Sequence, residues 1–420
     1  MPSLADQVRK AVAAHRAEMA ALTRELVRID TTNPPGRNYR ACAELLARRM
    51  RRLGFATSMT KIPAPKHAAA SGRAREADAG PRYWVHASYG PGEPVIYFHG
   101  HYDVVPASRP GQFQPRQRNG HIFGRGSADM KGGLVAMLFA ARALKDLKLA
   151  LRGRIEFVFV PDEETGGRRG TAALFEHRLL RANSAGMITA EPTSGAIWNA
   201  NRGAISMRVT VKGKPAHVGL AFRGVNAFER MLAVARALEI EKRRIGRRAT
   251  KFRIAPPAAR RSILLIGGRS EGGSNFNVVP AEASFTIDRR INPEENLARE
   301  KKRLLEILDR QRRSGIELEA EIFQEGASAS LAESHPLSRA LGESVRAITG
   351  RAPAIEMCPG LLETRYYAAR GIPALAYGPG LLSVSHGPNE FVALREMEKC
   401  AAVYALTAVR LFGTASVEES

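Results

Sequence analysis

An α/β fold, with a mainly parallel sheet sandwiched by helices and a ferredoxin-like α+β unit inserted in it, is what this 420-residue sequence predicts. Three observations lead there. Over residues 1–203, short apolar runs of strand length alternate with amphipathic helical stretches, the alternation of a parallel sheet with crossover helices. Several of those runs end in His, Asp or Glu beside Gly or Pro. Between residues 204 and 322 the period changes, and the order becomes strand, helix, strand, strand, helix, strand, that of the ferredoxin-like split unit. The chain therefore divides into a first part, 1–203, an insertion, 204–322, and a resumed part, 323–420.

Taken in order, residues 4–29 carry apolar side chains at helical spacing (Val8, Val12, Met19, Leu22, Leu26) and stop at Thr31-Thr-Asn-Pro-Pro-Gly36. A second helix over 39–53 leads to a strand at 55–60, then to an Ala-, Pro- and charge-rich stretch, 61–81, read as a surface loop. Strands at 82–88 and 95–99 follow. Gly124-Arg-Gly-Ser-Ala-Asp-Met-Lys-Gly-Gly133 then opens an apolar helix, 134–147. The next strand, 155–160, runs into Pro161-Asp-Glu-Glu-Thr-Gly-Gly167, and Gly186-Met-Ile-Thr189 precedes Ala190-Glu-Pro-Thr193. In the insertion, strands at 204–211, 261–267, 281–288 and 316–323 flank helices at 226–241 and 294–312. Finally Ala374-Leu-Ala-Tyr-Gly-Pro-Gly380 leads to Ser385-His386-Gly-Pro-Asn-Glu390.

Ligands of open α/β sheets gather at the carboxyl ends of strands. His101, Asp129, Glu164, Glu191 and His386 would converge there, and two imidazoles with three carboxylates suit a pair of divalent ions with one acid bridging. Without cations, three crowded acids would resist ionising. Asp103, two residues after His101, is placed to accept the imidazole's other N–H. On an extended segment neighbours point to opposite sides, so Glu164 can bind metal while Glu163 faces substrate and moves protons. His99 competes with His101 as ligand; Asp162 and Glu390 read as structural hydrogen-bond partners.

His101-x-Asp103-Val-Val-Pro, Gly126-x-x-Asp129-Met-Lys-Gly-Gly, Asp162-Glu-Glu-x-Gly-Gly167, Glu191-Pro-Thr and His386-x-Pro-x-Glu together resemble the dinuclear-zinc family of acetylornithine deacetylase, succinyl-diaminopimelate desuccinylase, aminoacylase and glutamate carboxypeptidase. The likeness runs from about residue 5 to 412. It implies two divalent ions (zinc, with manganese or cobalt as alternatives), Asp129 bridging, His101 and Glu191 on one ion, Glu164 and His386 on the other. It further implies Glu163 as general acid/base, a cis peptide between Asp129 and Met130, and an insertion that acts as lid and dimerisation domain. His217, in Gly213-Lys-Pro-Ala-His-Val-Gly219, lies close to the family's lid histidine, which binds the scissile carbonyl oxygen. Asn277 and Arg290 match substrate-side positions, Arg290 as a bidentate grip on a carboxylate with Arg289 the alternative. Gly360 and Arg365 fit the family's substrate-lining segment, from which Leu361, Leu362 and Glu363 depart.

Composition bounds the rest. Three scattered cysteines form neither a disulfide framework nor a zinc finger. No apolar run approaches membrane-spanning length and the first residues carry no signal-peptide pattern, so the expectation is a cytoplasmic protein without a membrane partner. The net charge of +23 is concentrated on surface-type segments, above all 242–261, where nine of twenty residues are Lys or Arg. These lack interleaved aromatics and any nucleic-acid-binding motif, which favours a solvated basic face that draws in a small anionic substrate. The expected function is hydrolysis of the C–N bond of a small N-acyl amino acid or carboxy-terminal dipeptide-like substrate by a hydroxide held at the ions. The alternatives are hydrolytic deamination on the same site and a non-catalytic or nucleic-acid-binding protein on a hydrolase fold.

Overall fold

The computed structural model describes residues 2–66, 80–181 and 183–414. The expected surface loop at 61–81 falls largely on 67–79, outside the described residues. The N-terminal helical stretch is two helices, Leu4–Ala14 and Arg16–Arg28, broken at His15. The break lets the His15 ring reach Asp146 Oδ2 at 2.6 Å and Glu18 Oε1 at 3.0 Å, contacts that simple periodicity could not reveal.

A nine-stranded sheet forms the larger core. Its four central strands, Arg154–Val160, Val95–His101, Gly186–Thr189 and Ala374–Ala376, run parallel in that spatial order. Antiparallel strands Ala56–Lys61 and Tyr83–Tyr89 flank one side, and Ile197–Asn201 lies on the other. Every residue of Val95–His101 is buried, as expected of a strand covered on both faces. Helices Gly132–Asp146, Pro336–Thr349 and Leu394–Phe412 pack with Leu4–Ala14 and Tyr39–Arg52 on Ile96, Phe98 and Phe157. The opposite face buries Val95, Tyr97, Val158 and Val160 against Ala173–Glu176 and Tyr367.

A second sheet is antiparallel throughout, in the order Ile263–Gly272, Glu282–Ile291, Gly203–Lys212, Leu318–Gly326. Helices Ala227–Ile245 and Leu297–Arg313 cover one face through Met231, Val234, Leu238, Leu304 and Leu308. Strand Glu282–Ile291 alternates strictly, its odd-numbered residues buried, so Arg289 points into this core while Asp288 and Arg290 face the other way.

Candidate active site

The four parallel strands end on one side: His101 is the last residue of its strand, Glu164 and Glu191 follow theirs closely, and His386 comes from the longer loop after Ala374–Ala376, past the helical turn Leu382–Val384. Asp129 comes from the turn that opens helix Gly132–Asp146. That helix packs tightly on the sheet because a Cβ at Gly133 would stand 2.4 Å from Ala190 O, the residue before Glu191. A cis peptide joins Asp129 to Met130.

Asp129 sits between two groups. Its Oδ1 lies 3.2 Å from His101 Nε2 and its Oδ2 lies 3.3 Å from His386 Nε2. Glu191 Oε1 is 3.9 Å from His101 Nε2, and Glu164 Oε2 is 3.3 Å from His386 Nε2. Ligand atoms of His101, Asp129 and Glu191 fall within 4.8 Å of one another, and so do those of Asp129, Glu164 and His386. Two imidazole-and-carboxylate triads sharing one acid are a donor set that fits two divalent ions. The electrostatics agree. Burial, then the neighbouring Asp129, pushes the Glu191 carboxyl up to about 8, and burial also raises Glu163 and Glu164. The hydrogen bond to Asp129, then that to Glu164, pushes His386 up to about 11. Such a cluster is short of positive charge until cations enter.

Glu163 Oε2 lies 4.0 Å from His101 Nε2 and stands outside both triads. The segment bearing it is a tight turn, Glu163–Thr165, and not the extended stretch expected from sequence. Asp162, Gly166 and Gly167 all have positive φ, so the two glutamates diverge because the backbone curls. Asp103 also differs from expectation. The nearest acceptor for His101 Nδ1 is the Asp103 backbone carbonyl at 3.0 Å, with the carboxylate at 3.5 Å. Its carboxylate instead accepts the amides of Glu163 and Glu164 and the Asn33 Nδ2. Either acceptor leaves His101 Nε2 facing the site.

His99 is otherwise engaged. Its Nε2 lies 2.5 Å from Glu363 Oε2 and its Nδ1 is 3.0 Å from Tyr367 Oη, which leaves no ring nitrogen for a metal. Glu390 Oε1 accepts the amides of Ala128 and Asp129, and its Oε2 accepts Arg125 Nη1 at 2.6 Å. Arg125 Nη2 in turn donates to His386 O at 3.0 Å, so one buried pair ties both ends of the site together.

The inserted unit holds His217 and Asn277 side by side. His217 bridges to Val278, and Val218 N donates to Asn277 O at 2.9 Å. Among the described residues no hydrogen bond or ion pair joins either to the metal-type cluster. His217 is exposed and its Nδ1 accepts Gly219 N at 3.1 Å. Arg290 grips Asp288 with both arms, at 2.7 and 3.1 Å. Arg289 is fully buried against Glu295 and Glu300, which removes it as a substrate grip. Gly360 O accepts Arg202 N at 3.1 Å. Sequence reasoning missed Asn33 and Arg125, although it singled out the stretches that hold them, 31–36 and 124–133; only their long-range partners distinguish them.

The profile of peptidase family M20/M25/M40 matches residues 97–410. The chain belongs to that family. As such it is a metal-dependent hydrolase acting on C–N amide bonds, and the two triads are its candidate sites for divalent ions. It is 28% identical over 401 residues to a succinyl-diaminopimelate desuccinylase of Bordetella petrii, covering 92% of this chain and 96% of that one. Among solved structures it resembles the dipeptidase Dug1p of Saccharomyces cerevisiae, with TM-score 0.77 at 15% identity over 98% of this chain and 99% of that one. It also resembles a dinuclear metal-binding M20 peptidase of Bacillus subtilis, with TM-score 0.65 at 15% identity over 96% of this chain and 100% of the other. These likenesses establish the fold of the M20 hydrolase: a mainly parallel sheet with an inserted second sheet.

Proposed function

We propose that this M20 hydrolase cleaves the C–N bond of a small N-acyl amino acid, or of a dipeptide-like substrate with a free carboxylate, using Glu163 as general acid/base. The observation that carries the reading is Asp129, whose two oxygens each address a different histidine, each histidine having a further carboxylate beside it. The desuccinylase name of the Bordetella petrii relative supports the N-acyl class. When bound, two divalent ions, zinc by the His and carboxylate donor set or else manganese or cobalt, would polarise the carbonyl and acidify the attacking water.

The chain's own residues do the rest. Glu163, the acid outside both triads, takes the proton from the attacking water and delivers it to the leaving nitrogen. Asp103 holds Glu163 in place through its amide. His217 supplies an N–H to the developing oxyanion once the inserted domain, or that of a second copy, closes over the site. Arg290 exchanges Asp288 for the substrate carboxylate, beside Asn277 and Gly360. Pairing of two copies would use the exposed edge strand Ile263–Gly272, where Leu265 is 51% exposed. Three buried, unpaired thiols accord with a cytoplasmic setting.

The test is turnover of the metal-loaded protein on N-succinyl and N-acetyl amino acids and dipeptides, with Glu163→Ala alongside. The variant should keep both ions and lose at least about 100-fold in kcat. Full turnover by Glu163→Ala would remove the assigned role. Ammonia release without a liberated carboxylate would replace amide hydrolysis by deamination.

A further inference from the structure

Two side chains of the short helix Thr364–Ala368 converge on one carbonyl of the turn that carries Glu163 and Glu164. Arg365 Nη2 donates to Gly166 O at 2.5 Å, and Tyr366 Oη donates to the same oxygen at 2.6 Å. The guanidinium carbon lies 4.2 Å from the Tyr366 ring centroid, and Nη1 donates to Leu362 O at 2.6 Å, so the head group is fixed from two further directions. Glu363 presses on the same turn: a Cβ at Gly167 would stand 2.4 Å from its Oε1. The start of the turn is held separately, by the Asp103 carboxylate on the Glu163 and Glu164 amides and by Asn33 Nδ2 on Thr165 Oγ1 at 3.0 Å, so the clamp acts on its far end. The turn's internal bonds are Gly166 N to Glu163 O and Gly167 N to Asp162 O, each at 2.7 Å.

Arg365 is buried, and its other side abuts the strand that leaves the inserted sheet. A Cβ on Gly326 would stand 3.0 Å from Arg365 Nε and 3.2 Å from its Cδ. Gly326 ends strand Leu318–Gly326, where the chain crosses back to the larger sheet, and it pairs with Ala204 at the outward crossing. Two residues earlier, Gln324 Nε2 comes within 3.6 Å of where a Cβ on Gly166 would be. Both crossings, the clamp and the turn therefore meet in one place.

We propose that Arg365 is a positioning residue that fixes the Glu163–Gly167 turn against the strand crossing to the inserted domain. The consequence for catalysis rests on the reading of Glu163 as general acid/base. Half-buried and doubly hydrogen-bonded, the Gly166 carbonyl would lose charged support without Arg365, and the turn would drift from its place beside His101.

The experiment compares Arg365→Lys and Tyr366→Phe with the parent, all as metal-loaded full-length protein, by hydrogen exchange, ion retention and kinetics. Exchange at the amides of 163–167 should rise by about tenfold or more while that of strand Val95–His101 stays unchanged. One of the two ions should be lost more readily to a weak chelator, because Glu164 rides on the same turn. The kcat should fall roughly 10- to 100-fold, with KM held within about threefold. Gly326→Ala, which adds bulk only on the crossing strand, should raise exchange at the same amides; no change there would sever the link to the inserted domain. Unaltered exchange and ion retention in both Arg365→Lys and Tyr366→Phe, or a rise spread evenly over the chain, would overturn the proposal. A parent protein that cleaves no amide would refute the reaction assigned above, while exchange and ion retention still decide whether Arg365 holds the turn.

Discussion

Asp103 and Glu163 are joined through a half-buried contact: an Asp103 carboxylate oxygen accepts the Glu163 amide at 3.2 Å, and its other oxygen accepts the Glu164 amide at 3.2 Å. Asn33 Nδ2 adds a third donor at 2.9 Å. One acid thus sets two adjacent glutamates with different tasks. In Asp103→Asn one acceptor becomes a donor facing backbone N–H groups. We expect a stability loss of about 1–3 kcal/mol in urea unfolding. Turnover should fall by roughly 10- to 100-fold.

The two triads share Asp129 and nothing else, which separates their metal losses. His386→Ala and Glu164→Ala should each leave one ion per chain, and His101→Ala or Glu191→Ala should leave the other. Asp129→Ala should lose both. Elemental analysis after gel filtration reads the stoichiometry, and a chain that kept two ions without Asp129 would rule out the shared-acid arrangement.

Much of this site was legible because strand ends announce themselves: an apolar run closing on His101, Glu164 or Glu191 beside Gly or Pro is visible in one dimension. What stayed hidden depends on pairing across distance. His99 differs from His101 only in having Glu363 and Tyr367 for neighbours, residues more than 260 positions away. Arg289 and Arg290 are adjacent, and the strand pleat alone sends one into a buried ion cluster and the other to Asp288. The curl of Glu163–Thr165 escaped because neighbours on an extended segment and neighbours on a tight turn both diverge. The fold was easier, since alternation of period survives any error in where single elements end.

Arg125 and Glu390 are a buried pair, 1% and 0% exposed at the side chain, between the His386 loop and the Asp129 turn. Truncating one partner leaves the other charge unanswered in the interior. Glu390→Ala should therefore cost about 3–5 kcal/mol in urea unfolding. Glu390→Gln, whose single carbonyl oxygen can still accept either from Arg125 or from the Ala128 and Asp129 amides, should cost less. Equal losses in the two variants would mean that the charge carries the whole contribution and that the hydrogen bonds glutamine keeps add nothing.

The inserted domain should show its own acid sensitivity through Glu295. This carboxylate accepts from Ser262 Oγ at 2.7 Å, from the Asn292 amide at 2.9 Å and from Arg248 at 2.5 Å, and it faces Arg289. Burial works to raise its pKa, but the Ser262, Asn292 and Arg248 hydrogen bonds outweigh burial and hold it below the ordinary 4.5. A carboxylate with a depressed folded value binds its proton more readily in the unfolded chain. Its contribution to stability is therefore fully present above about pH 4.5 and is lost as pH falls through the folded value. Glu295→Gln removes that titration. Urea unfolding followed across the acid range should show a shallower decline for the variant below about pH 4.5 than for the parent. Parallel declines would mean that Glu295 binds its proton equally in both states, and that the Arg248, Arg289 and Ser262 contacts do not favour its charged form.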